Sequence, residues 1–255
     1  MKLSRSSLIS SPQNPRFKRW VCLLDSRGIE RSQQCILFGE KVVREVLEGH
    51  PSWCLELLCP SKNVSSLPTP DHVLIFSLAR PLFQRLDLFG TRYPLLVCQT
   101  PELPVVDLTQ SPQGLEVLCP LGDPANVGSL IRTAAAMAVD RVVLLLEAAH
   151  PFHPKSVRAA SGTIFLQKLV RGPSVSTLTQ ARNMVGLDKN GHPLPQFDWP
   201  KNVRVLVGEE GQGVPILPDQ KLVAIPITET IDSLNAVVAT GMALYSYRMQ
   251  HPISP

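Results

Sequence analysis

Residues 203–215 read VRVLVGEEGQGVP. The first five residues, Val203 to Val207, have the composition of a strand buried on both faces, and Gly208, Gly211 and Gly213 follow at once. Glycines at a strand exit permit positive φ and let backbone approach a ligand closely. The spacing is G-x-x-G-x-G rather than the G-x-G-x-x-G of dinucleotide-binding folds. No G-K-[ST] follows, so a phosphate-binding P-loop is excluded. Glu209 and Glu210 place carboxylates beside bare backbone amides, which suits a cationic or hydroxylated ligand better than a phosphate.

Working outward, the same half of the chain alternates strands with helices. Strands are predicted at Val117–Cys119, Val142–Leu146, Val203–Val207 and Leu222–Ile227, and helices over Val127–Met137, over Lys155–Phe165 and from Ser233 onward. The N-terminal hundred residues repeat the alternation. A helix is predicted from Asn14 to Asp25, with Phe17, Trp20, Val21 and Leu24 on one face and Pro15 in its first turn. Strands at Cys35–Phe38, Leu55–Leu58, Val73–Phe76 and Leu95–Cys98 and helices at Lys41–Leu47 and Pro81–Leu88 follow. Between the halves, residues 101–114 hold Pro101, Pro104 and Pro112 without periodicity and read as a linker. The expected organisation is two α/β domains, residues 1–100 and 115–255.

Composition fits this reading. A chain of 255 residues that is 44% hydrophobic and 18% charged is of ordinary globular make-up, which excludes a disordered or fibrous protein. No apolar run is long enough for a membrane helix, and the basic N-terminus lacks the apolar stretch of a signal peptide, so a cytoplasmic protein without membrane partners is expected. Six cysteines without a C-x-x-C pair, and six histidines without H-x-H or H-E-x-x-H spacing, predict free thiols and no metal. The net charge is only +4, but residues 1–30 carry six basic residues against Asp25 and Glu30. That arm and first helix, with Arg16, Lys18 and Arg19, form a candidate phosphate-contacting surface. A solvated helix face accounts for the same charges equally well.

Two further stretches are too polar for their surroundings. In DPANVGSLIRTAAAM, residues 123–137, Asn126 is a candidate N-cap and Arg132 is the only charge in an otherwise small or apolar helix. Gly128, Ser129 and Arg132 share a face open to a ligand, although a structural ion pair, or a guanidinium snorkelling outward to solvent, would explain the arginine more simply. In LVAIPITETIDSLNAVVATGMALYSY, residues 222–247, a strand ends near Pro226 and Ser233 is read as capping a thin helix. Asn235, one turn inside that expected helix, is a mediocre helix former and needs a further reason for being there.

Taken together, N-x-G-x-x-x-R (Asn126, Gly128, Arg132), G-x-E-G-x-G (Gly208, Glu210, Gly211, Gly213) and I-P-x7-L-N (Ile225, Pro226, Leu234, Asn235) resemble, in order and spacing, the three motifs of the SpoU/TrmH family. These are SPOUT-class RNA ribose 2′-O-methyltransferases, and HPKSVRAASGTIF (153–165) resembles the stretch that follows their first motif. The resemblance covers about residues 115–248. It implies a trefoil-knotted C-terminal α/β domain, S-adenosyl-L-methionine as cofactor, and a homodimer formed through that domain. Residues 1–100 resemble, more loosely, the smaller ribosomal-protein-like α/β domain that many members carry for substrate RNA, and ISSPQNPRFK (9–18) is typical of those members.

Carried over residue by residue, the resemblance implies a reaction centre of Asn126, Arg132, Glu210, Ser233 and Asn235. Gly208, Gly213, Ile225, Leu234 and Asn235 would hold the cofactor, and Lys155 and Arg158 would join the RNA contacts. Arg132 is then either the base or the group that binds a phosphate and orients the 2′-hydroxyl; a free guanidinium is almost never deprotonated at neutral pH. Glu209, Ile227 and Glu229 depart from residues common in the family (Asn, Met and Gly). The expected activity is methylation of a ribose 2′-hydroxyl in RNA, with ribosomal RNA favoured over transfer RNA. A non-catalytic RNA-binding assembly factor is the competing reading, and a nicotinamide-binding enzyme is disfavoured by the glycine spacing.

Overall fold

The computed structural model describes residues 7–60, 67–208, 214–215 and 220–253. They fall into two compact units, one of residues 1–101 with 152–162, the other of residues 102–151 with 163–255.

In chain order the elements of residues 1–101 are β1 (Ser7–Ile9), α1 (Pro15–Cys22), α2 (Ser26–Ser32), β2 (Gln34–Leu37), α3 (Glu40–Gly49), β3 (Cys54–Pro60), β4 (Leu74–Leu78), α4 (Arg80–Leu86) and β5 (Leu95–Gln99). The sheet order is β1-β4-β3-β5-β2. β1, β4 and β3 run parallel, and β5 is antiparallel to both its neighbours. Asn14 caps α1 by accepting the Arg16 N–H at 2.9 Å, and Pro15 sits where its missing N–H costs nothing. The apolar face of α1 then buries Phe17 and Trp20 against Leu58, Phe76 and Leu78 of the sheet.

The rest of the chain forms β6 (Leu115–Cys119), α5 (Pro124–Ala136), β7 (Arg141–Leu144), α6 (Pro154–Ala160), β8 (Leu169–Arg171), β9 (Met184–Pro193), β10 (Val203–Leu206), β11 (Lys221–Ala224) and α7 (Ala236–Gln250). Apart from α6, these build one sheet in the order β11-β9-β10-β6-β7-β8, with every described pairing parallel. A parallel sheet is covered on both faces, which is why β6, β7 and β10 read as nearly unbroken apolar runs. From β6 the chain builds outward through β7 and β8 on one side, and β10, β9 and β11 lie on the other. The strand order therefore reverses between β6 and β10, the place where open α/β sheets bind ligands beyond the strands' carboxyl ends.

Several elements differ from expectation. α1 stops at Cys22, because α2 begins four residues later with Asp25 as its own cap, accepting the Arg27 N–H. The helix expected over Lys155–Phe165 ends at Ala160, since Ser161 (φ 50°) and Gly162 (φ 90°) turn left-handed, and one 3-10 turn follows at Thr163–Phe165. β11 ends at Ala224 rather than running on to Ile227.

The expected linker is not free. Leu108 is buried, Val106 N–H donates to Arg171 O at 2.9 Å, and the Arg204 guanidinium donates to Leu108 O and Gln110 O, each at 2.8 Å. Prolines removed the periodicity from that stretch but left its carbonyls available to a buried cation. α6 lies in sequence between β7 and β8 but belongs to the first compact unit, where it packs against β2.

Candidate active site

The carboxyl ends of β6 and β10 are level, with Leu118 opposite Leu206 and Val207 N–H donating to Leu118 O at 3.1 Å. The stretch beginning at Asp123 follows β6, and Gly208 follows β10. The third motif begins at Ile225, immediately after β11. All three motifs therefore leave one edge of one parallel sheet, and the first two flank the point where the strand order reverses.

α5 starts three residues earlier than Asn126 suggested. Its N-cap is Asp123, whose Oδ2 accepts the Asn126 N–H at 3.0 Å, with Pro124 at the first helical position. Asn126 therefore lies in the first turn, half-buried. Along the ligand-side face Gly128 is buried, Ser129 half-buried and Arg132 exposed. Among the described residues the Arg132 guanidinium has no hydrogen bond or ion pair, so the structural pairing that would explain it blandly is not found there.

The second capping expectation is also corrected. Ser233 lies exposed in the loop before α7, and Asn235 is the cap: its Oδ1 accepts the N–H groups of Val237 at 2.9 Å and Val238 at 3.3 Å. This is the further reason Asn235 required. Capping uses only the side-chain oxygen, so the amide nitrogen keeps its donors, and no described residue accepts from it. α7 packs on α5 in the same direction. A Cβ at Gly241 would stand 3.6 Å from Thr133 Cγ2, and Arg248 donates to Met137 O at 2.8 Å and Ala138 O at 2.6 Å. The starts of both helices thus lie toward the carboxyl edge of the sheet.

For cofactor binding, Gly208, Ile225 and Leu234 are half-buried, and their backbone groups make no hydrogen bond to another described residue. Open backbone donors and acceptors at a sheet's carboxyl edge fit a nucleoside, whose base edge and ribose present complementary groups. Glu210 and Gly213 lie outside the described residues. The histidines and cysteines do not assemble into a site: among the described residues no group of three His, Cys, Asp or Glu could hold a metal ion. Burial pushes the thiols of Cys35 and Cys119 up to about 12.

One part of this edge escaped the sequence reading. β9 runs beside β10 as far as Gly186, level with Leu206, and rejoins a ladder with β11 only at His192 and Pro193. The intervening LDKNG (187–191) is a bulge of β9 that opposes the single step from Leu222 to Val223 of β11. Asp188 Oδ1 accepts the Asn190 N–H at 2.9 Å, and Gly191 is pressed so closely on β11 that a Cβ would stand 2.4 Å from Val223 N. A polar five-residue stretch without alternation gave no strand signal.

The expected RNA contacts divide. Glu56, buried on β3, takes Arg16 Nη1 at 3.2 Å on one oxygen, and Arg19 Nη2 with Trp20 Nε1 on the other. Arg16 and Arg19 therefore serve a structural carboxylate, while Lys18 is exposed. Lys155 and Arg158 are exposed on α6, within the first compact unit.

A parallel α/β sheet with polar residues beyond its reversal point is the arrangement in which open α/β folds bind ligands. Residues 116–245 match the SpoU rRNA Methylase family, and the chain belongs to that family. It is 38% identical over 241 residues to the ribosomal RNA small subunit methyltransferase G 2 of Syntrophobacter fumaroxidans; the match takes in 94% of this chain but 48% of that protein, so the chain spans about half of that relative's length. It is 28% identical over 267 residues to the 23S rRNA (uridine(2479)-2′-O)-methyltransferase of Streptomyces viridochromogenes, covering 91% of this chain and 89% of that one. The fold matches the crystal structure of an AdoMet-bound rRNA methyltransferase from Sinorhizobium meliloti with a TM-score of 0.80, at 24% identity, over 98% of this chain and 99% of that one.

Proposed function

We propose that the chain transfers the methyl group of S-adenosyl-L-methionine to a ribose 2′-hydroxyl of ribosomal RNA. The observation that carries this reading is the convergence of all three motifs on the carboxyl edge of one parallel sheet, two of them flanking the reversal point. The relative from Streptomyces viridochromogenes, similar over nearly its whole length, is named for that reaction on 23S rRNA, and the structural neighbour from Sinorhizobium meliloti is named as AdoMet-bound. The family's trefoil knot is part of the same proposal.

When bound, the cofactor supplies a methyl group already activated on a sulfonium, so the protein's task is alignment and removal of one proton. In this reading the backbone at Gly208, Ile225 and Leu234, with Gly213, holds the nucleoside. Asn235, fixed by its capping bonds, turns its amide donors to the ligand, and Ser233, Asn126 and Glu210 complete the centre. Arg132 grips the phosphate next to the target ribose and orients the 2′-hydroxyl, a task suited to an always-charged planar fork. The proton then passes to a neighbouring acceptor or solvent instead of to the guanidinium.

A homodimer through the second compact unit belongs to this proposal. α7 presents Val238, Met242, Tyr245 and Met249 to solvent along one stripe, and with Met137 and Leu194 they line a groove of about 670 Å³. An apolar stripe of this kind on a helix otherwise built into the core marks an association surface. Among the described residues no helix is long and apolar enough to cross a membrane, and we place the protein in the cytoplasm with its RNA.

The test is transfer of labelled methyl from S-adenosyl-L-methionine to ribosomal and transfer RNA from a strain lacking the gene, followed by nuclease mapping. A 2′-O-methylated nucleotide in ribosomal RNA, lost with Arg132→Ala, is the expected result. Label in transfer RNA alone would reassign the substrate. Cofactor binding without transfer to either RNA would favour the assembly-factor reading.

A further inference from the structure

We infer that the first compact unit grips RNA phosphates through α6 and the turn at residues 87–92, and not through the basic first helix. The inference rests on the RNA reading proposed above. Its starting point is how the unit's charges are spent. Arg16 and Arg19 are tied to Glu56, and Arg16 also lies over the Phe76 ring, 4.9 Å from its centroid. Two guanidiniums sharing one buried carboxylate keep a single net positive charge, and their forks are committed to that carboxylate. On α3, Lys41 is paired with Glu45 at 3.8 Å and Arg44 with Glu40 at 2.9 Å, so those four charges cancel in pairs.

Lys18, Arg27, Arg31, Arg80 and Arg85 also lack a carboxylate partner among the described residues, but α6 and the turn at residues 87–92, joined by the contact of Arg158 with Phe89, carry three such cations. Arg158 of α6 lies over the Phe89 ring, 5.8 Å from its centroid, and its Nη1 stands 3.4 Å from where a Cβ on Gly39 would be. Phe89 in turn packs edge-on against the buried Phe38, at 5.1 Å between centroids. Phe89 belongs to a turn closed by Asp87, whose carboxylate accepts the Thr91 N–H and hydroxyl, both at 3.0 Å, and the Arg92 N–H at 2.8 Å. That clamp holds the Arg92 backbone at φ 54° and leaves its side chain exposed. The Asp87 negative charge is thus taken up by donors of its own turn. Arg92, Lys155 and Arg158 have no carboxylate partner among the described residues, and α6 itself carries no acidic residue.

Two arginines on rigid mounts, one stacked on an aromatic ring and one on a clamped turn, with a lysine beside them, fit a polyanionic backbone read by position. The sugar-phosphate chain of RNA is the occupant with that chemistry.

The experiment compares the full-length wild-type chain with Arg92→Gln/Arg158→Gln and with Arg16→Gln/Arg19→Gln. Binding to in vitro transcribed small- and large-subunit ribosomal RNA is measured over a series of salt concentrations. Loss of two phosphate contacts makes the slope of log K against log salt shallower by about 1.4 for single-stranded contacts, and weakens binding roughly twenty-fold near 0.1 M salt. We expect this from the Arg92/Arg158 pair, with its melting temperature and S-adenosyl-L-methionine affinity unchanged. The Arg16/Arg19 pair should instead lower the melting temperature and leave the slope as it is. An unchanged slope for Arg92→Gln/Arg158→Gln, or a shallower one for the Arg16/Arg19 variant alone, overturns the inference while the RNA reading stands. Binding of neither transcript by the wild-type chain overturns the RNA reading and this surface with it.

Discussion

Arg204 is wholly buried and donates from Nε to Glu116 Oε2 at 2.9 Å, while its terminal nitrogens reach the carbonyls of Leu108, Gln110 and Arg182. Arg141 Nη2 completes the cluster on Glu116 Oε1 at 2.7 Å. One guanidinium therefore ties two sheet strands to the segment that leads into β6 and to the turn that leads into β9. Removing it strands three carbonyls and half of a buried carboxylate's partners. Arg204→Met should cost about 3–5 kcal/mol. Urea unfolding with an unchanged m-value would measure it, and a loss below about 1 kcal/mol would refute the role given to this residue.

Asn235 has an observed duty as cap and a proposed one toward the ligand. Asn235→Ala should lower stability by about 1 kcal/mol through loss of the cap. Asn235→Asp keeps the capping oxygen and loses the amide donors, so it should melt like the wild type yet bind S-adenosyl-L-methionine or transfer its methyl group poorly. Calorimetric titration alongside thermal melting separates the two. Normal cofactor binding and transfer by Asn235→Asp would reduce the residue to its cap.

Arg132 is exposed and unpaired among the described residues, so Arg132→Ala should change stability by no more than about 0.5 kcal/mol. Methyl transfer should nonetheless fall about 100-fold or more if alignment is its role, as proposed. Arg132→Lys should not restore it, because an ammonium lacks the planar fork. Full activity in single-turnover assays of Arg132→Lys would mean that charge alone suffices.

The α7 stripe predicts association. Sedimentation of the wild-type chain should give twice the 28.0 kDa chain mass, and Met242→Asp, on the exposed stripe, should shift it to the monomer without loss of helicity. A wild-type chain that sediments as a monomer at every concentration would remove the dimer from the proposal.

Thiol chemistry offers an independent check of burial. Cys22 is exposed and the other five cysteines are buried. With Cys35 and Cys119 pushed up to about 12 by burial, both stay protonated and unreactive at pH 8. Iodoacetamide should therefore label Cys22 first, and the rest only on unfolding, as read by peptide mass spectrometry. Early labelling of Cys119 would contradict the packing of β6.

Much of this was legible because the core strands and helices announce themselves by periodicity. What was missed lacked that signal for stated reasons. α2, SRGIERS, has a single large apolar residue in Ile29, and β1 and β8 are three residues each. β9 departs from the ladder in a polar excursion. Both capping assignments went to a plausible neighbour, Asn126 instead of Asp123 and Ser233 instead of Asn235, because adjacent residues of the same chemical type compete and only backbone geometry decides. The three motifs do leave one edge of the same sheet, and that is where the site is proposed. Glu56 lies forty residues from Arg16 in sequence, so a charge count along the chain does not show that Arg16 and Arg19 share its carboxylate.

The placement of α6 has a consequence for how the molecule can be taken apart. The chain passes between its two compact units three times, near residues 101, 151 and 162, so neither unit is a continuous stretch of sequence. A fragment ending at residue 101 lacks the helix seated on β2, and a fragment beginning at residue 102 carries that helix without its seat. The first compact unit is thus no detachable module that a single crossover could exchange. Any chimera that respects the architecture has to exchange residues 152–162 together with the first hundred.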